Sequence, residues 1–402
     1  MIVLVLNTGS SSVKYQVINP EQEKILAKGV VERIGMSGAI LTHKPHDRDE
    51  VRLSGEILDH KMAIEYVLSI LLSKNHGVIK SKGEIDAVGH RVVHGGEEFS
   101  GSVLINEEVM KEMRRCIDYA PLHNPPNLKG INAAQQLLPD APQVGVFDTA
   151  FHQSMPKHAY IYGLPYAIYK RHGIRRYGFH GTSHRFVSMR AAQMLDQPLD
   201  NLKMITCHLG NGASVAAIRE GKSIDTSMGF TPLEGLLMGT RSGDMDPAVI
   251  LSIMNKEELT LNEATTLLNK HSGLIGVSGL SSDMREIEDE YEESKRARLA
   301  HDIFTYRLKK YIGAYAAAMD GLDVVVFTGG IGENSPLVRK HALQGLNFMG
   351  VQMDEHKNEE QTKEERIVSK DQAKVTCMVI PTNEELVIAM DTMEIVKNGK
   401  ET

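Results

Sequence analysis

The chain has 402 residues, which predicts two or three domains at roughly 150 residues each. With 45 Lys and Arg against 52 Asp and Glu, its net charge of −7 argues against a protein that coats nucleic acid or lies on a membrane surface. Its 42% hydrophobic and 24% charged residues are typical of globular proteins, so global disorder is excluded.

The cysteines and the amino terminus indicate the cellular compartment. Cys116, Cys207 and Cys377 are widely separated and include no CxxC pair, so neither a disulfide framework nor a zinc site is expected. The apolar start MIVLVL lacks a basic region before it and is too short for a signal peptide. No apolar run reaches the roughly 18 residues of a membrane span. We therefore expect a cytoplasmic protein without a membrane segment.

The chain begins with a predicted β-hairpin, whose strands at 2–6 and 13–18 flank the small polar turn NTGSSS. A second hairpin is predicted at mid-chain, with strands at 204–208 and 215–218 around the turn LGNGAS. When the sequence is shifted by about 200 residues, half its length, the second strand of the first hairpin aligns with the second strand of the other. The sequence thus suggests a duplicated unit.

The remaining segments alternate between helical and β patterns. Apolar residues at helical spacing predict helices at 60–73, 107–118, 127–138 (directly after Pro125-Pro126) and about 295–319. Apolar or β-branched runs predict strands at 87–93, 143–147 and 323–327. This alternation is typical of α/β proteins.

Three glycine-rich segments are candidate anion sites. Small residues let backbone N–H groups approach an anion, and 7–14 and 208–214 provide such residues at the hairpin turns, with Lys14 as a nearby cation. The third, GGIGENS at 329–335, lies between a buried strand and a predicted helix start, which favours negative charge. None contains GxxxxGK[ST] or GxGxxG. Each hairpin turn alone is more often an ordinary polar turn.

Four further polar residues stand among small or apolar neighbours: Arg91 in GHRVVHGG, Asp148 in VFDTAFH, His180 in YGFHGTSH and Arg241 in MGTRSGDMDP. Each has a structural alternative, such as an Arg–Asp pair that joins two strand ends or a histidine bonded to backbone. The histidines of these segments show no HExxH or comparable zinc spacing. Anion-binding turns, isolated arginines and a single acid together fit phosphoryl transfer best.

Eight motifs, in this order, resemble the acetate kinase family: NTGSSSVKY, GHRVVHGG, VFDTAFH, YGFHGTSH, HLGNGAS, MGTRSGDMDP, GGIGENS and PTNEEL. They extend from Asn7 to Glu385. Because the family shares a superfamily with actin and the sugar kinases, the resemblance implies an α/β protein with a duplicated ribonuclease H-like (actin-like ATPase) fold, two domains with a cleft between them. The implied domains are residues 1–148 plus 386–402, and residues 149–385.

The resemblance implies a role for each matching residue. Asn7 and Glu384 would hold Mg²⁺, with Mn²⁺ as an alternative metal. The implied catalytic residues are Arg91, Asp148, His180 and Arg241, of which Arg91 also binds the acyl substrate. The implied pocket for the methyl group comprises Val93, Leu122, Phe179 and Pro232. Nucleotide contacts are implied for Lys14, His208, Leu209, Gly210, Asn211, Gly212, Asp283, Met284, Arg285, Gly330, Ile331, Gly332, Glu333 and Asn334.

The activity implied by the resemblance is reversible, in-line, Mg²⁺-assisted transfer of the γ-phosphoryl group of ATP to acetate, giving acetyl phosphate and ADP. Positive charge around the transferring group lowers the barrier of such a reaction. A carboxylate substrate is already ionised at pH 7, so Asp148 is not needed as a general base. We expect Asp148 to position Mg²⁺ or an arginine instead.

Two alternatives stay open at this point. One methylene in an apolar pocket is worth only about 1–3 kcal/mol, so a propionate or butyrate kinase is the nearest competitor. An ATP-binding chaperone or filament subunit of the same superfamily would not need the second anion site that Arg91 and Arg241 suggest. The resemblance also implies a homodimer, whereas no nucleic-acid or membrane partner is expected.

Overall fold

The computed structural model of the chain describes residues 1–399. It divides into an N-terminal unit, Met1–Phe151 together with the segment that begins at Asn383, and a C-terminal unit, His152–Thr382. Each unit has a mixed β-sheet with helices packed on it. Within residues 1–399, none of the helices has the length and hydropathy that a membrane-spanning segment requires.

The strands of the described chain fall into two sheets. The N-terminal unit contains β1 (Val3–Thr8), β2 (Ser12–Asn19), β3 (Lys24–Glu32), β4 (Ala39–Pro45), β5 (Val51–Gly55), β6 (Ala87–Val92), β7 (Val103–Leu104) and β8 (Gln143–Phe147). The C-terminal unit contains β9 (Lys203–Leu209), β10 (Ala213–Arg219), β11 (Lys222–Thr226), β12 (Val324–Thr328), β13 (Arg366–Ile367) and β14 (Thr376–Val379).

The helices lie mainly between these strands. The α-helices are α1 (His60–Leu71), α2 (Glu107–Arg115), α3 (Asn124–Leu137), α4 (Lys157–Tyr160), α5 (Tyr166–His172), α6 (Gly181–Met194), α7 (Pro247–Lys256), α8 (Leu261–Lys270), α9 (Gly273–Ser278), α10 (Met284–Asp289), α11 (Lys295–Ala318), α12 (Gly329–Asn334), α13 (Pro336–Leu343), α14 (Glu355–Glu359) and α15 (Glu384–Asn398). Short 3₁₀ helices span Pro20–Gln22, Lys82–Glu84, Cys116–Asp118, Ala150–Ser154, Leu199–Asn201 and Asn347–Met349.

The two sheets share one connection plan. The N-terminal order is β5-β4-β3-β2-β1-β6-β8-β7, in which β1 to β5 form an antiparallel meander and β1, β6 and β8 are parallel. The C-terminal order is β11-β10-β9-β12-β14-β13, with β9 to β11 antiparallel and β9, β12 and β14 parallel. Each sheet therefore has a meander whose first strand pairs in parallel with a later strand. This common topology agrees with the repeat predicted from the hairpins.

Several predicted elements are confirmed, and some boundaries were wrong. Strand 143–147 is found as predicted, and the long helix about 295–319 is α11. The hairpin turns are shorter than predicted, because ladder pairing continues further: Asn7 lies in β1 opposite Lys14, and Leu209 lies in β9 opposite Ala213. The remaining turns close through Gly9 N–H to Ser12 O (2.8 Å) and Gly210 N–H to Gly212 O (3.1 Å).

Two helix starts also differ from the prediction. Helix α3 begins at Asn124, so Pro125 and Pro126 lie in its first turn, where a missing backbone N–H costs nothing. The segment GGIGEN, predicted as a loop before a helix, is itself the short helix α12. Ser335 caps the next helix, α13, since its hydroxyl accepts a hydrogen bond from Val338 N–H at 3.0 Å.

Close packing of α15 on the N-terminal sheet positions one part of the candidate site. The helix contacts β1, β6 and β8. A glycine is required beneath it, because a Cβ on Gly89 would lie 2.5 Å from Thr392 Oγ1 and 2.7 Å from Ile388 Cγ2. The first residue of α15, Glu384, is thereby held near the ends of β6 and β8.

Candidate active site

Arg91 and two carboxylates form the charged cluster of the N-terminal unit. Arg91 Nε donates to Asp148 Oδ1 at 3.0 Å, and Nη2 donates to Asp148 Oδ2 at 2.9 Å. Nη2 also lies 3.5 Å from Glu384 Oε2. The structure therefore brings together three of the predicted site residues. The Arg–Asp pair also joins two strand ends, which is the structural alternative that the sequence left open for these residues.

Parallel pairing explains why Arg91 meets Asp148. Strands β6 and β8 run side by side, with Arg91 opposite Val146, and their carboxyl ends lie at the same edge of the sheet. Asp148 follows β8 directly and its N–H donates to Val92 O at 2.9 Å. Glu384 lies in the first turn of α15, where the helix dipole favours a negative charge.

Burial and pairing act against each other in this cluster. The Asp148 side chain is 3% exposed, and burial and the nearby Glu384 raise its pKa, while the Arg91 guanidinium acts in the opposite direction. Burial would lower the pKa of Arg91, but the Asp148 and Glu384 carboxylates raise it above its ordinary value. Arg91 thus stays charged, and its hydrogen bonds from Nε and Nη2 hold the guanidinium in one plane.

Two asparagines of α3 hold the chain after Arg91. Asn127 Oδ1 accepts from Val93 N–H at 3.1 Å, and Asn127 Nδ2 donates to Thr8 O at 2.9 Å. Asn124 exchanges hydrogen bonds with both backbone groups of His94, at 3.2 Å and 3.0 Å. Asn127 therefore links the chain after β6 to the end of β1. The sequence reading missed both amides; the only available signal was two asparagines in a helix that packs on the sheet.

The C-terminal unit gathers the turn after β9, Arg241 and His180. A Cβ added to Gly212 would lie 3.4 Å from Arg241 Nη1, 3.6 Å from His180 Cε1 and 3.7 Å from His180 Nε2. The guanidinium and the imidazole therefore lie directly against the turn. Three elements that are separate in the sequence form one cationic and hydrogen-bonding surface here.

Arg241 is a partly buried cation that has no counter-ion among residues 1–399. Burial lowers the pKa of its guanidinium. Its hydrogen bonds are a long one to Pro232 O (3.4 Å) and a weak one to Met238 Sδ (4.0 Å). In residues 1–399 no carboxylate lies within ion-pair distance of it. Because buried charges are normally paired, this guanidinium is available to an anionic ligand.

His180 is held by a chain of hydroxyl and imidazole groups. It has left-handed backbone geometry (φ 57°) just before α6, an uncommon state for a residue other than glycine. Its Nδ1 bonds to the Ser214 hydroxyl at 2.9 Å, which also bonds to His184 Nε2 at 2.7 Å. The His180 ring stacks on His208 at 4.2 Å between centroids. With Nδ1 held in this way, Nε2 of His180 lies towards the Gly212 turn.

The predicted nucleoside residues lie on two short helices. Asp283 caps α10 by accepting from Arg285 N–H at 2.9 Å, and its carboxylate also pairs with the exposed Arg285 guanidinium. On α12, Glu333 Oε1 accepts from Gly329 N–H (2.9 Å) and Thr382 N–H (3.3 Å). One oxygen of the Glu333 carboxylate is therefore bound by backbone N–H groups from two segments, the start of α12 and the chain after β14.

The residues predicted for the methyl pocket are divided between the units. Val93 and Leu122 belong to the N-terminal unit, where Leu122 is 68% exposed. Phe179 and Pro232 belong to the C-terminal unit, where Phe179 is buried. The carbonyl of Phe179 accepts from His152 Nε2 at 3.0 Å.

Comparisons with known proteins decide the family. A profile described as the acetokinase family matches residues 2–390. The acetate kinase of Caldanaerobacter subterraneus subsp. tengcongensis is 56% identical over 402 residues, covering 100% of both chains. The crystal structure of Porphyromonas gingivalis acetate kinase superposes with a TM-score of 0.95 at 52% identity, covering 98% of this chain and 99% of that one.

The chain belongs to the acetokinase family. A propionate kinase from Francisella tularensis subsp. tularensis is also similar, with a TM-score of 0.91 at 42% identity over 98% of this chain and 99% of that one. Membership confirms the predicted family, its α/β fold and the predicted enzyme class, a kinase.

One residue of this acetokinase-family chain was missed entirely by the sequence reading. Arg339 is fully buried, and its Nη1 donates to Gly332 O (2.8 Å) and Glu333 O (3.0 Å) at the end of α12. Its Nε and Nη2 donate to Asn358 Oδ1 and O, both at 2.7 Å. Burial lowers the pKa of Arg339 to about 10. A basic residue in an exposed-looking sequence, RKHA, gave no signal of this role.

Proposed function

We propose that the chain catalyses reversible transfer of the γ-phosphoryl group of ATP to acetate, giving acetyl phosphate and ADP. Whole-length relatives at about 55% identity that are named acetate kinase support this activity. The structural observation that carries it is Arg241, a partly buried guanidinium that lies against the Gly212 turn without a counter-ion in the described chain. Such a group is suited to an oxyanion that arrives and leaves.

In this proposal Arg91 binds the acid. Its Nε and Nη2 are used by Asp148, so within residues 1–399 its Nη1 remains for the acetate carboxylate. Asp148 fixes the plane of the guanidinium, and the pair is held by adjacent strand ends. Because acetate is ionised at pH 7, no proton has to be removed before it attacks phosphorus. Asp148 is then a positioning residue rather than a base.

Arg241, His180 and the turn 208–212 act on the phosphates. A loose phosphoryl-transfer transition state places negative charge on the equatorial oxygens, and fixed donors near those oxygens lower the barrier. Arg241 supplies a permanent charge, and His180 Nε2 supplies a donor whose direction is set through Ser214. Backbone N–H groups of the turn, with Lys14, are proposed contacts of the nucleotide phosphates.

Mg²⁺ is proposed at Asn7 and Glu384. Amide and carboxylate oxygens are the ligands that Mg²⁺ prefers, and Mn²⁺ accepts the same set. Glu384 fits this role because its side chain is 15% exposed and it meets Arg91 only at 3.5 Å, so its oxygens retain acceptor capacity. When bound, the ion would neutralise charge on the β- and γ-phosphates.

The adenosine part is proposed to bind at two short helices, α10 and α12. Asp283, Met284 and Arg285 form one edge, and Gly330 to Asn334 form the other. The fixed position of α12 supports this role, since Arg339 binds the carbonyl groups at the end of the helix.

Homodimer formation stays a prediction, which light scattering of the purified chain would test.

The activity is tested by trapping acyl phosphate with hydroxylamine. Mg·ATP would be supplied with formate, acetate, propionate or butyrate in parallel, and kcat/KM compared. We expect acetate to lead, with some propionate turnover, because one methylene discriminates by only about 1–3 kcal/mol. An Arg241→Ala variant purified identically shows whether product comes from this chain. If propionate or butyrate leads, the substrate assignment is wrong, and if no acid yields product, the activity itself is wrong.

A further inference from the structure

A second cluster of ligand-type side chains lies in the C-terminal unit, on helices α11 and α13. It consists of His301 and Asp302 on α11 and His341 on α13. One nitrogen or oxygen of each lies within 4.8 Å of the others. None of the three belongs to the phosphoryl-transfer residues described above.

His301 is the unusual member of this cluster. It is 0% exposed, and neither of its ring nitrogens has a hydrogen-bond partner in the described chain. Buried polar atoms in folded proteins nearly always have a partner, so an imidazole with two unpaired nitrogens requires an explanation. If the His301 ring served only to fill space, an apolar side chain of similar size could occupy the position without loss of stability.

The surroundings direct both nitrogens of His301 towards carboxylates without bonding them. Nδ1 lies 3.7 Å from Asp302 Oδ1, and Nε2 lies 3.9 Å from Glu288 Oε1. Both separations exceed a hydrogen bond. The His341 ring meets the His301 ring edge to face at 5.0 Å between centroids. His301 thus has Asp302 near one ring nitrogen, Glu288 near the other, and the His341 ring packed against its own.

This arrangement has the form of a metal centre with its supporting shell. Metal-bound histidines usually direct their second ring nitrogen to a carboxylate, as Nε2 of His301 does towards Glu288. Ligating carboxylates are themselves hydrogen-bonded, and Tyr291 OH donates to Asp302 Oδ1 at 3.1 Å. Burial lowers the pKa of His301 to about 4, so its ring is in the neutral form that binds metals.

We propose that His301, Asp302 and His341 bind a divalent transition metal, with Zn²⁺ as the reference ion. Two imidazole nitrogens and one carboxylate oxygen suit Zn²⁺, Co²⁺ or Ni²⁺, whereas Mg²⁺ prefers an all-oxygen set. Ligand atoms on tetrahedral Zn²⁺ lie about 3.4 Å apart at bond lengths of about 2.1 Å. The ligand atoms therefore have to approach each other by up to about 1.4 Å from the 4.8 Å within which they lie, which the half-exposed Asp302 side chain allows.

The metal would tie α11 to α13 beside the elements proposed for the nucleoside. Glu288 lies in the last turn of α10 and accepts a hydrogen bond from the Ser335 hydroxyl at the start of α13. A metal at His301 and His341 would therefore join α11 and α13, which already pack directly on each other. The expected role is structural, namely to stabilise the C-terminal unit, and it does not depend on the proposed reaction.

The test measures metal binding to the full chain without nucleotide. Chelator-treated protein is kept in millimolar Mg²⁺, so that oxygen-donor sites are occupied, and is titrated with Zn²⁺ by equilibrium dialysis and with Co²⁺ by visible absorption. We expect one tight equivalent, a Co²⁺ spectrum with imidazole ligation, and a rise in Tm on Zn²⁺ addition. His341→Ala and Asp302→Asn should each weaken Zn²⁺ binding by about 10- to 100-fold or more.

The matched control is His356→Ala, which removes an exposed histidine of the same unit and should leave the titration unchanged. Circular dichroism and Tm without metal show that each variant folds, and Asp302→Asn alters only a half-exposed side chain. The proposal is overturned if the wild-type chain binds no Zn²⁺ more tightly than His341→Ala. It is equally overturned if both cluster variants bind as well as the wild type, because the metal then lies elsewhere.

Discussion

Arg91 and Asp148 meet side by side at the ends of β6 and β8, with Nε to Oδ1 at 3.0 Å and Nη2 to Oδ2 at 2.9 Å. The contact orients the guanidinium and, in the proposed function, leaves Nη1 for the carboxylate substrate. A pair of this kind can tie two strands together and prepare a binding site at once, so mutation has to separate the two roles.

Asp148→Asn tests the positioning role. The amide has one acceptor oxygen, and its NH₂ group opposes an Arg91 donor, so the guanidinium loses its fixed plane. We expect kcat/KM for acetate to fall on the order of 100-fold, mainly through KM, with Tm changed little. Steady-state kinetics at several Mg²⁺ concentrations check this. A variant with near-normal rate and metal dependence would show that Asp148 positions neither Arg91 nor the metal.

Arg91→Lys tests whether a planar guanidinium is needed to bind Asp148 and acetate at the same time. A lysine keeps the charge but cannot bind Asp148 and a carboxylate in a planar, two-point manner. We expect KM for acetate to rise at least about 10-fold. Arg115→Lys is the control, since Arg115 is an exposed arginine of the same unit that pairs with Glu112. Equal acetate KM values in the two variants would contradict the assignment.

Arg241→Ala tests stabilisation of the transferring group. Removal of one preorganised donor of this type costs about 100- to 1000-fold in turnover. We expect kcat to fall by that amount or more, while calorimetric affinity for ADP changes much less. Arg219→Ala, at a more exposed arginine of the same unit, should retain activity. The role is wrong if nucleotide affinity collapses while turnover survives.

Arg339→Lys tests the support of α12. The substitution loses some of the four hydrogen bonds to Gly332, Glu333 and Asn358 and leaves buried acceptors unpaired, at a cost of about 1–3 kcal/mol each. We expect a lower Tm and at least about 10-fold weaker ADP binding, with kcat at saturating nucleotide nearly retained. Lys340→Ala, the exposed neighbour, is the control. Loss of Tm without any change in ADP affinity would limit Arg339 to stability.

Buried neutral histidines make stability depend on pH. Burial lowers the pKa of His90 to about 4, from an ordinary value of 6.5. The unfolded chain therefore takes up a proton that the folded chain does not, between about pH 6.5 and 4. The stabilisation is complete above pH 6.5 and is lost as the pH falls, by up to about 1.4 kcal/mol per pH unit.

His90→Gln removes this titration while keeping a donor to Gln143 Oε1, which His90 Nε2 contacts at 2.7 Å. We expect the variant to lose less Tm than the wild type when the pH is lowered from 7 to 5. Calorimetry at both values measures the difference. Parallel Tm curves for the two proteins would show that His90 contributes nothing to acid sensitivity.

Local patterns in the sequence were enough to predict seven of the 14 strands of the described chain and four of its helices, because strand and helix signals depend on neighbouring residues. Strand 143–147 and helix α11 are examples. Boundaries were less predictable where pairing with another segment decided them, as at Asn7, which the ladder to Lys14 draws into β1. The start of α3 was misplaced because Pro125 and Pro126 read as a break although they fit a first turn.

The order of the motifs determined the family and the chemical types of the candidate site without any coordinates. Tertiary structure alone decided which charges are paired: Arg91 has a carboxylate partner 57 residues away, whereas Arg241 has none in the described chain. It also decided that Arg339 and His301 are buried. A residue type is a local property of the chain, but its partner and its dielectric surroundings depend on distant segments that only the folded backbone brings near.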